Sequence, residues 1–137
     1  MFMDIRERLD EPEIRELLAF AVYDDPDELQ RALDEYKMNR ELEVYALEEE
    51  GDIVGIAGIQ MSGGILEIRH IAVEPISRGL GYGRGLILEL IEQKRPAEVV
   101  AETDDEAVDF YRNIGFTIHS LGERYPGVER FKCTYRV

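Results

Sequence analysis

The chain has 137 residues, 45% of them hydrophobic, with 30 acidic against 16 basic side chains, a formal net charge of −14 and one cysteine. That length fits a single domain with one fold to carry the function, and the charge argues against nucleic acid or an anionic membrane as partner, leaving a cationic amine or peptide as the more natural one. One cysteine excludes an intrachain disulfide and a cysteine-based zinc site, and two histidines are too few to suggest another metal centre, so no metal is expected.

Met1 to Arg6 lacks the apolar block of a signal peptide, and no apolar run approaches the ~20 residues that span a bilayer, so a cytoplasmic location off the membrane is expected. Ile5 belongs to a short first strand. Asp10-Glu11-Pro12-Glu13 reads as a helix start with Asp10 as N-cap, and Ile14, Leu17, Leu18 and Ala21 form one apolar face. A second helix starts at Asp25-Pro26, with Leu29, Ala32, Leu33 and Tyr36 in helical register.

Val44–Leu47 and Ile53–Ile59 read as strands joined through Glu50-Gly51-Asp52, and Ser62-Gly63-Gly64 turns the chain into a third strand, Ile65–Val73, completing an antiparallel meander. After Pro75 comes Arg78-Gly79-Leu80-Gly81-Tyr82-Gly83-Arg84-Gly85. A helix over Leu86–Glu92 follows, then a short buried parallel strand at Val99–Ala101. Thr103-Asp104-Asp105-Glu106 reads as a capping box for a helix carrying Ala107, Val108, Phe110, Tyr111 and Ile114, which Gly115 ends. Phe116–Ile118 and Phe131–Val137 are the last strands, on either side of an irregular Gly122–Gly127 loop.

Glycines at alternate positions before a helix let the backbone aim successive N–H groups, and then the helix's unpaired amides, at an anion. A dinucleotide fingerprint fails here, because Arg84 or Leu86 falls where its last glycine belongs, and no Gly-Lys-Ser/Thr closes a P-loop. The pattern that fits is Arg/Gln-x-x-Gly-x-Gly/Ala, through Arg78, Gly81 and Gly83, which resembles the acyl-CoA pyrophosphate loop of the GNAT superfamily of N-acyltransferases. Ala107 to Phe116 is similar to that family's second signature, A-x-x-F-Y-x-x-x-G-F, and the order β-α-α-β-β-β-α-β-α-β-β is the family's too.

The resemblance implies an α+β three-layer fold over residues 1–137, with a mixed, mostly antiparallel sheet of roughly six to seven strands flanked by about four helices. It implies a transferase that moves an acetyl group from acetyl-CoA directly to a primary amine of a small molecule or protein. The alternatives are a non-catalytic acyl-CoA-binding regulatory module and an interaction domain whose glycine loop is only structural.

The resemblance also assigns residues. Backbone amides of Gly79, Leu80, Gly81, Tyr82, Gly83 and Arg84 would hold the pyrophosphate, with Arg78 and Arg84 adding charge. The main chain of Ile71, Ala72 and Val73 would pair with pantetheine like an added strand. Asp104 stands where many members carry an asparagine, and so would cap the following helix without donating an amide hydrogen bond to the cofactor.

An alkyl ammonium with pKa near ~10.4 is neutral in on the order of one molecule in a thousand at pH 7, so attack wants a base or a water chain. Glu67 resembles the general base of the histone acetyltransferase branch; a strand covered on both faces would bury it and raise its pKa, unless it pairs with Arg69 two residues on. His70, expected on the opposite face of the strand, is the second candidate base. Tyr111 matches the family's general acid for the departing thiolate. The acceptor is expected between Tyr23–Tyr36 and Glu123–Gly127, where Asp24, Asp25, Asp27, Glu28, Glu123 and Glu129 favour a cationic amine. Pairing of Phe131–Val137 at a sheet edge would make a homodimer, the other state being a monomer.

Overall fold

A computed structural model describes residues 1–137, in which seven strands form one sheet in the order β1-β2-β3-β4-β5-β7-β6. The strands are β1 (Phe2–Asp4), β2 (Leu42–Glu49), β3 (Asp52–Ser62), β4 (Ile65–Val73), β5 (Glu98–Asp104), β6 (Thr117–Tyr125) and β7 (Val128–Arg136); the helices are α1 (Pro12–Ala21), α2 (Pro26–Met38), α3 (Tyr82–Lys94) and α4 (Val108–Asn113). Every neighbouring pair is antiparallel except β4 and β5. This is the mixed, mostly antiparallel α+β architecture expected. No helix is long and apolar enough to cross a membrane.

Each face of the sheet buries its own cluster. On one side α1 and α2 lay Ile14, Leu18, Leu33 and Tyr36 over Val44, Ile56 and Ala72; on the other, Leu86 and Leu90 of α3 and Val108 and Tyr111 of α4 cover Leu66, Ile68, Val99 and Ala101. Near-continuous burial of β3 from Ile53 to Ile59 follows from this double cover.

Several boundaries differ from the expected ones, each for a local reason. Pro12 takes the first helical position, so Glu11 becomes the N-cap of α1 and Asp10 pairs instead with Lys37 at 2.5 Å. Asp25 caps α2 as expected, accepting from the amides of Asp27 and Glu28. The other end of α2 is closed by Arg6, whose guanidinium donates to the carbonyls of Tyr36, Asn39 and Leu42. Ile5 lies just past β1 and is fully buried.

The Thr103–Glu106 capping box does not form. β5 runs on to Asp104, with Thr103 buried and paired to Phe131, and Asp104 alone turns the chain by accepting from the amides of Glu106 and Ala107. β7 is also not an edge strand: it lies between β5 and β6 and is bonded on both sides, so it has no free edge with which to pair a second copy.

Candidate active site

β4 carries the largest departure from regular alternation. Against β3, Gly58 pairs with His70 but Ile59 pairs with Ile68, which leaves Arg69 as the extra residue of a β-bulge. Leu66 and Ile68 face α3, so Glu67 faces α2; the bulge then keeps Arg69 and His70 on that same side. The two candidate bases therefore share a face, contrary to the expectation that His70 would point away from Glu67.

Neighbouring charges complete the cluster. Arg69 donates to Glu35 of α2 at 2.6 Å and lies 3.6 Å from Glu67. Glu67 is half exposed and ion-paired with Arg69, as its alternative reading had it, and not a buried, unpaired carboxylate. His70 is half-buried, and its Nδ1 lies 2.6 Å from the hydroxyl of Tyr36. Burial, with the Arg69 charge beside it, lowers its pKa from 6.5 to about 4.

Tyr36 reaches the strand because residue 58 is glycine: a Cβ there would sit 1.9 Å from the tyrosine hydroxyl. The sequence pattern puts Tyr36 in a core stripe and at the end of the expected acceptor region, and gives Gly58 no part. A glycine inside an otherwise apolar strand is the signal that could have found the pair, since it often marks a close approach.

The bulge falls where β4 leaves β5. The two strands pair in parallel from Ile65 with Glu98 to Ile68 with Ala101 and no further, although they continue to Val73 and Asp104. The β5-facing edge of Ile71, Ala72 and Val73 is thus free of strand pairing. At its end Arg78 folds back, donating from Nε to the Val73 carbonyl at 3.0 Å with its guanidinium 5.3 Å from the centre of the Phe20 ring.

The glycine loop then opens α3 four residues earlier than the apolar pattern suggested, with left-handed Gly81 (φ +86°) as N-cap and Gly79 also left-handed (φ +81°). Amides of Gly79, Leu80, Gly81, Tyr82, Gly83 and Arg84 make no hydrogen bond within the protein, the first helical bond to the N-cap carbonyl coming from Gly85. Six consecutive unbonded donors at a helix N-terminus are an arrangement suited to an anion. Arg84 is exposed and has no carboxylate within 4 Å. Gly83 serves another purpose: a Cβ on it would lie 2.7 Å from Cε1 of Phe110, so α4 sits directly against α3.

Tyr111, one residue on, is 4% exposed, with its ring edge-on to Phe110 and Phe116. Burial pushes its phenol pKa up. The Tyr111 hydroxyl makes no hydrogen bond within the protein and is not sealed off completely from solvent. Asp104 is occupied by the protein itself: Oδ1 accepts from Glu106 and Ala107, and Oδ2 accepts from the Tyr23 hydroxyl. Tyr23 and Asp24 are left-handed (φ +54° and +58°), and burial and then the Asp104 bond push the Tyr23 phenol up to about 12. Among the acids expected around the acceptor, Asp25 is spent on its cap, while Glu129 accepts from Ser120 in the β6–β7 hairpin.

A family model described as an acetyltransferase (GNAT) domain matches residues 40–118. N-alpha-acetyltransferase RimI of Mycobacterium tuberculosis is 37% identical over 82 residues, 55% of this chain and 52% of that protein, so the match spans about half the relative's length. The ribosomal-protein-S18-alanine N-acetyltransferase from Escherichia coli superposes with a TM-score of 0.79 over 100% of this chain and 93% of its own, at 20% identity. An aminoglycoside 6'-N-acetyltransferase complexed with coenzyme A superposes with a TM-score of 0.76 over 99% and 96%, at 15% identity. The two structures, at such identities, are likenesses of fold.

Proposed function

This chain belongs to the GNAT family of acetyltransferases, and from that premise we propose that it transfers an acetyl group from acetyl-CoA directly to a primary amine. One observation carries the proposal: six unbonded amides from Gly79 to Arg84 follow a strand whose edge has no strand partner from Arg69 to Val73. The first suits a pyrophosphate and the second an extended pantetheine arm. Binding of coenzyme A by a protein of this fold supports the choice of donor.

In the transfer, the amine nitrogen bonds to the thioester carbon and the carbonyl π pair moves to oxygen. That pair then returns as the C–S bond breaks. Tyr111 gives its phenolic proton to the thiolate, and the proton shed by the amine passes to Glu67 or through water to solvent. Asp24, next to the Tyr23 whose hydroxyl bonds Asp104, and Asp27 at the start of α2 favour a cationic acceptor, while Glu28 is paired with Arg31; two of the named structures act on a ribosomal-protein alanine and on aminoglycosides, and both classes fit that charge.

Titration with acetyl-CoA tests the donor. Micromolar binding by the parent is expected, and none by Gly81→Glu, which sets a side chain at a left-handed position costing ~1–2 kcal/mol and a negative charge where the pyrophosphate would lie. No binding by the parent overturns the transferase reading, and binding without thiol release against any amine turns it into a non-catalytic acyl-CoA module.

A further inference from the structure

His70 stands among the candidate bases, yet its surroundings hold its proton where a base cannot work. The Tyr36 side chain is 1% exposed, so its O–H proton needs an acceptor inside the protein. Two groups face the hydroxyl. The guanidinium of Arg69 carries donors only; His70 Nδ1, at 2.6 Å, is the one acceptor. Were Nδ1 to carry the hydrogen and donate it to the phenol oxygen, the tyrosine's own proton would be stranded.

The Nδ1 lone pair is therefore taken up by Tyr36, and in the neutral ring Nε2 bears the hydrogen. A neutral imidazole is what burial and the Arg69 charge favour at pH 7. Nε2 makes no hydrogen bond within the protein, and since no fully buried side-chain nitrogen lacks a partner, this N–H keeps some accessible surface. It does so from the length of β4 that has parted from β5, where the donor's acyl end would lie.

We propose that His70 serves acetyl transfer as a hydrogen-bond donor through Nε2–H to the thioester oxygen, with Tyr36, admitted by Gly58, as the positioning residue that fixes the tautomer. The inference rests on the acetyl-transfer reading above. As the amine nitrogen bonds to the carbonyl carbon, the π pair collects on oxygen, and Nε2–H stabilises that charge without giving up its proton. When the pair re-forms the carbonyl, the C–S bond breaks and the thiolate takes its proton from Tyr111. The base role then falls to Glu67 or water, because Nε2 has no lone pair to offer.

The test compares His70→Gln, whose amide nitrogen can replace a donor but cannot act as a base, with His70→Ala and Tyr36→Phe. Thiol release from acetyl-CoA would be followed with a tripeptide bearing a free N-terminus and with a diamine as acceptors. His70→Ala should lower kcat on the order of 10²-fold, the usual cost of one such donor, with the KM for acetyl-CoA within about twofold and His70→Gln within about threefold of the parent. Tyr36→Phe should lower kcat and leave KM in place, because the imidazole remains and only its tautomer is released. Nitrogen-15 NMR of the parent at pH 7 should find the hydrogen on Nε2.

Turnover by the parent with His70→Gln as weak as His70→Ala overturns the donor role alone, as does a hydrogen found on Nδ1. An absence of thiol release by the parent with both acceptors counts against the acetyl-transfer reading and removes the donor role with it.

Discussion

From Ile65 to Ile68, β4 is bonded to β3 on one side and β5 on the other; from Arg69 to Val73 it is bonded to β3 alone. The first length is ordinary sheet, with Leu66 and Ile68 buried in the core. The second holds the bulge, the Tyr36–His70 pair and an edge with no strand partner, and one turn separates it from the unbonded amides that open α3. A backbone left unpaired beside its neighbour is costly unless something else satisfies it. Stability and candidate chemistry thus occupy adjacent halves of one strand.

That contrast can be broken from either side. The largest separation is expected between Gly81→Glu, which should abolish acetyl-CoA binding while costing only the ~1–2 kcal/mol of its left-handed backbone, and Leu66→Ala, whose loss should fall on stability and spare binding. The latter removes a fully buried side chain and should lose ~2–5 kcal/mol of stability in urea denaturation. Acetyl-CoA affinity per folded molecule should stay at the parent's value.

A smaller effect isolates the parted half by pH. His70 titrates near 4 when folded and near 6.5 when unfolded, so the unfolded chain binds the extra proton between those values. Stability is complete above about pH 6.5 and falls as pH drops towards 4, by roughly 3 kcal/mol for this group. The groups facing it are Arg69 on its own strand and Glu35 and Tyr36 on α2. Denaturant midpoints of parent and His70→Gln should therefore diverge above pH 6.5 relative to their separation at pH 4; parallel curves across that range would remove the buried-histidine account.

Smallest is Tyr111→Phe, which keeps the packed ring and removes one hydroxyl. It should lower kcat at least about tenfold, some 1.4 kcal/mol of barrier, with acetyl-CoA affinity nearly intact. Unchanged turnover would take Tyr111 out of the mechanism.

Much of this division was legible in the residues. Alternate glycines before an apolar helical stripe announced the loop, and Phe110-Tyr111 with Gly115-Phe116 announced the helix that packs on it. Local patterning carries such features because each depends on neighbours a few residues away. The bulge at Arg69 was not legible: Glu67, Arg69 and His70 read as strict alternation, and the extra residue shows only when β4 is laid against β3. The place of β7 inside the sheet depends likewise on which strand accepts it, and an alternating pattern serves an edge and an inner strand alike. Tyr23 and Asp104 lie 81 residues apart, and neither carries a sign of the other.

The contact between Gly83 and Phe110 joins the two signatures by which the family was recognised. Each looks like an independent word in the sequence, one for holding an anion and one for the chemistry, but a methyl group on the first would strike the ring of the second. They behave as lock and key cut from the same blank. An engineer moving the glycine loop into another scaffold would have to carry the aromatic helix with it, and a change to Phe110 should be felt first as a loosened grip on the cofactor, at the far side of the contact from the residue altered.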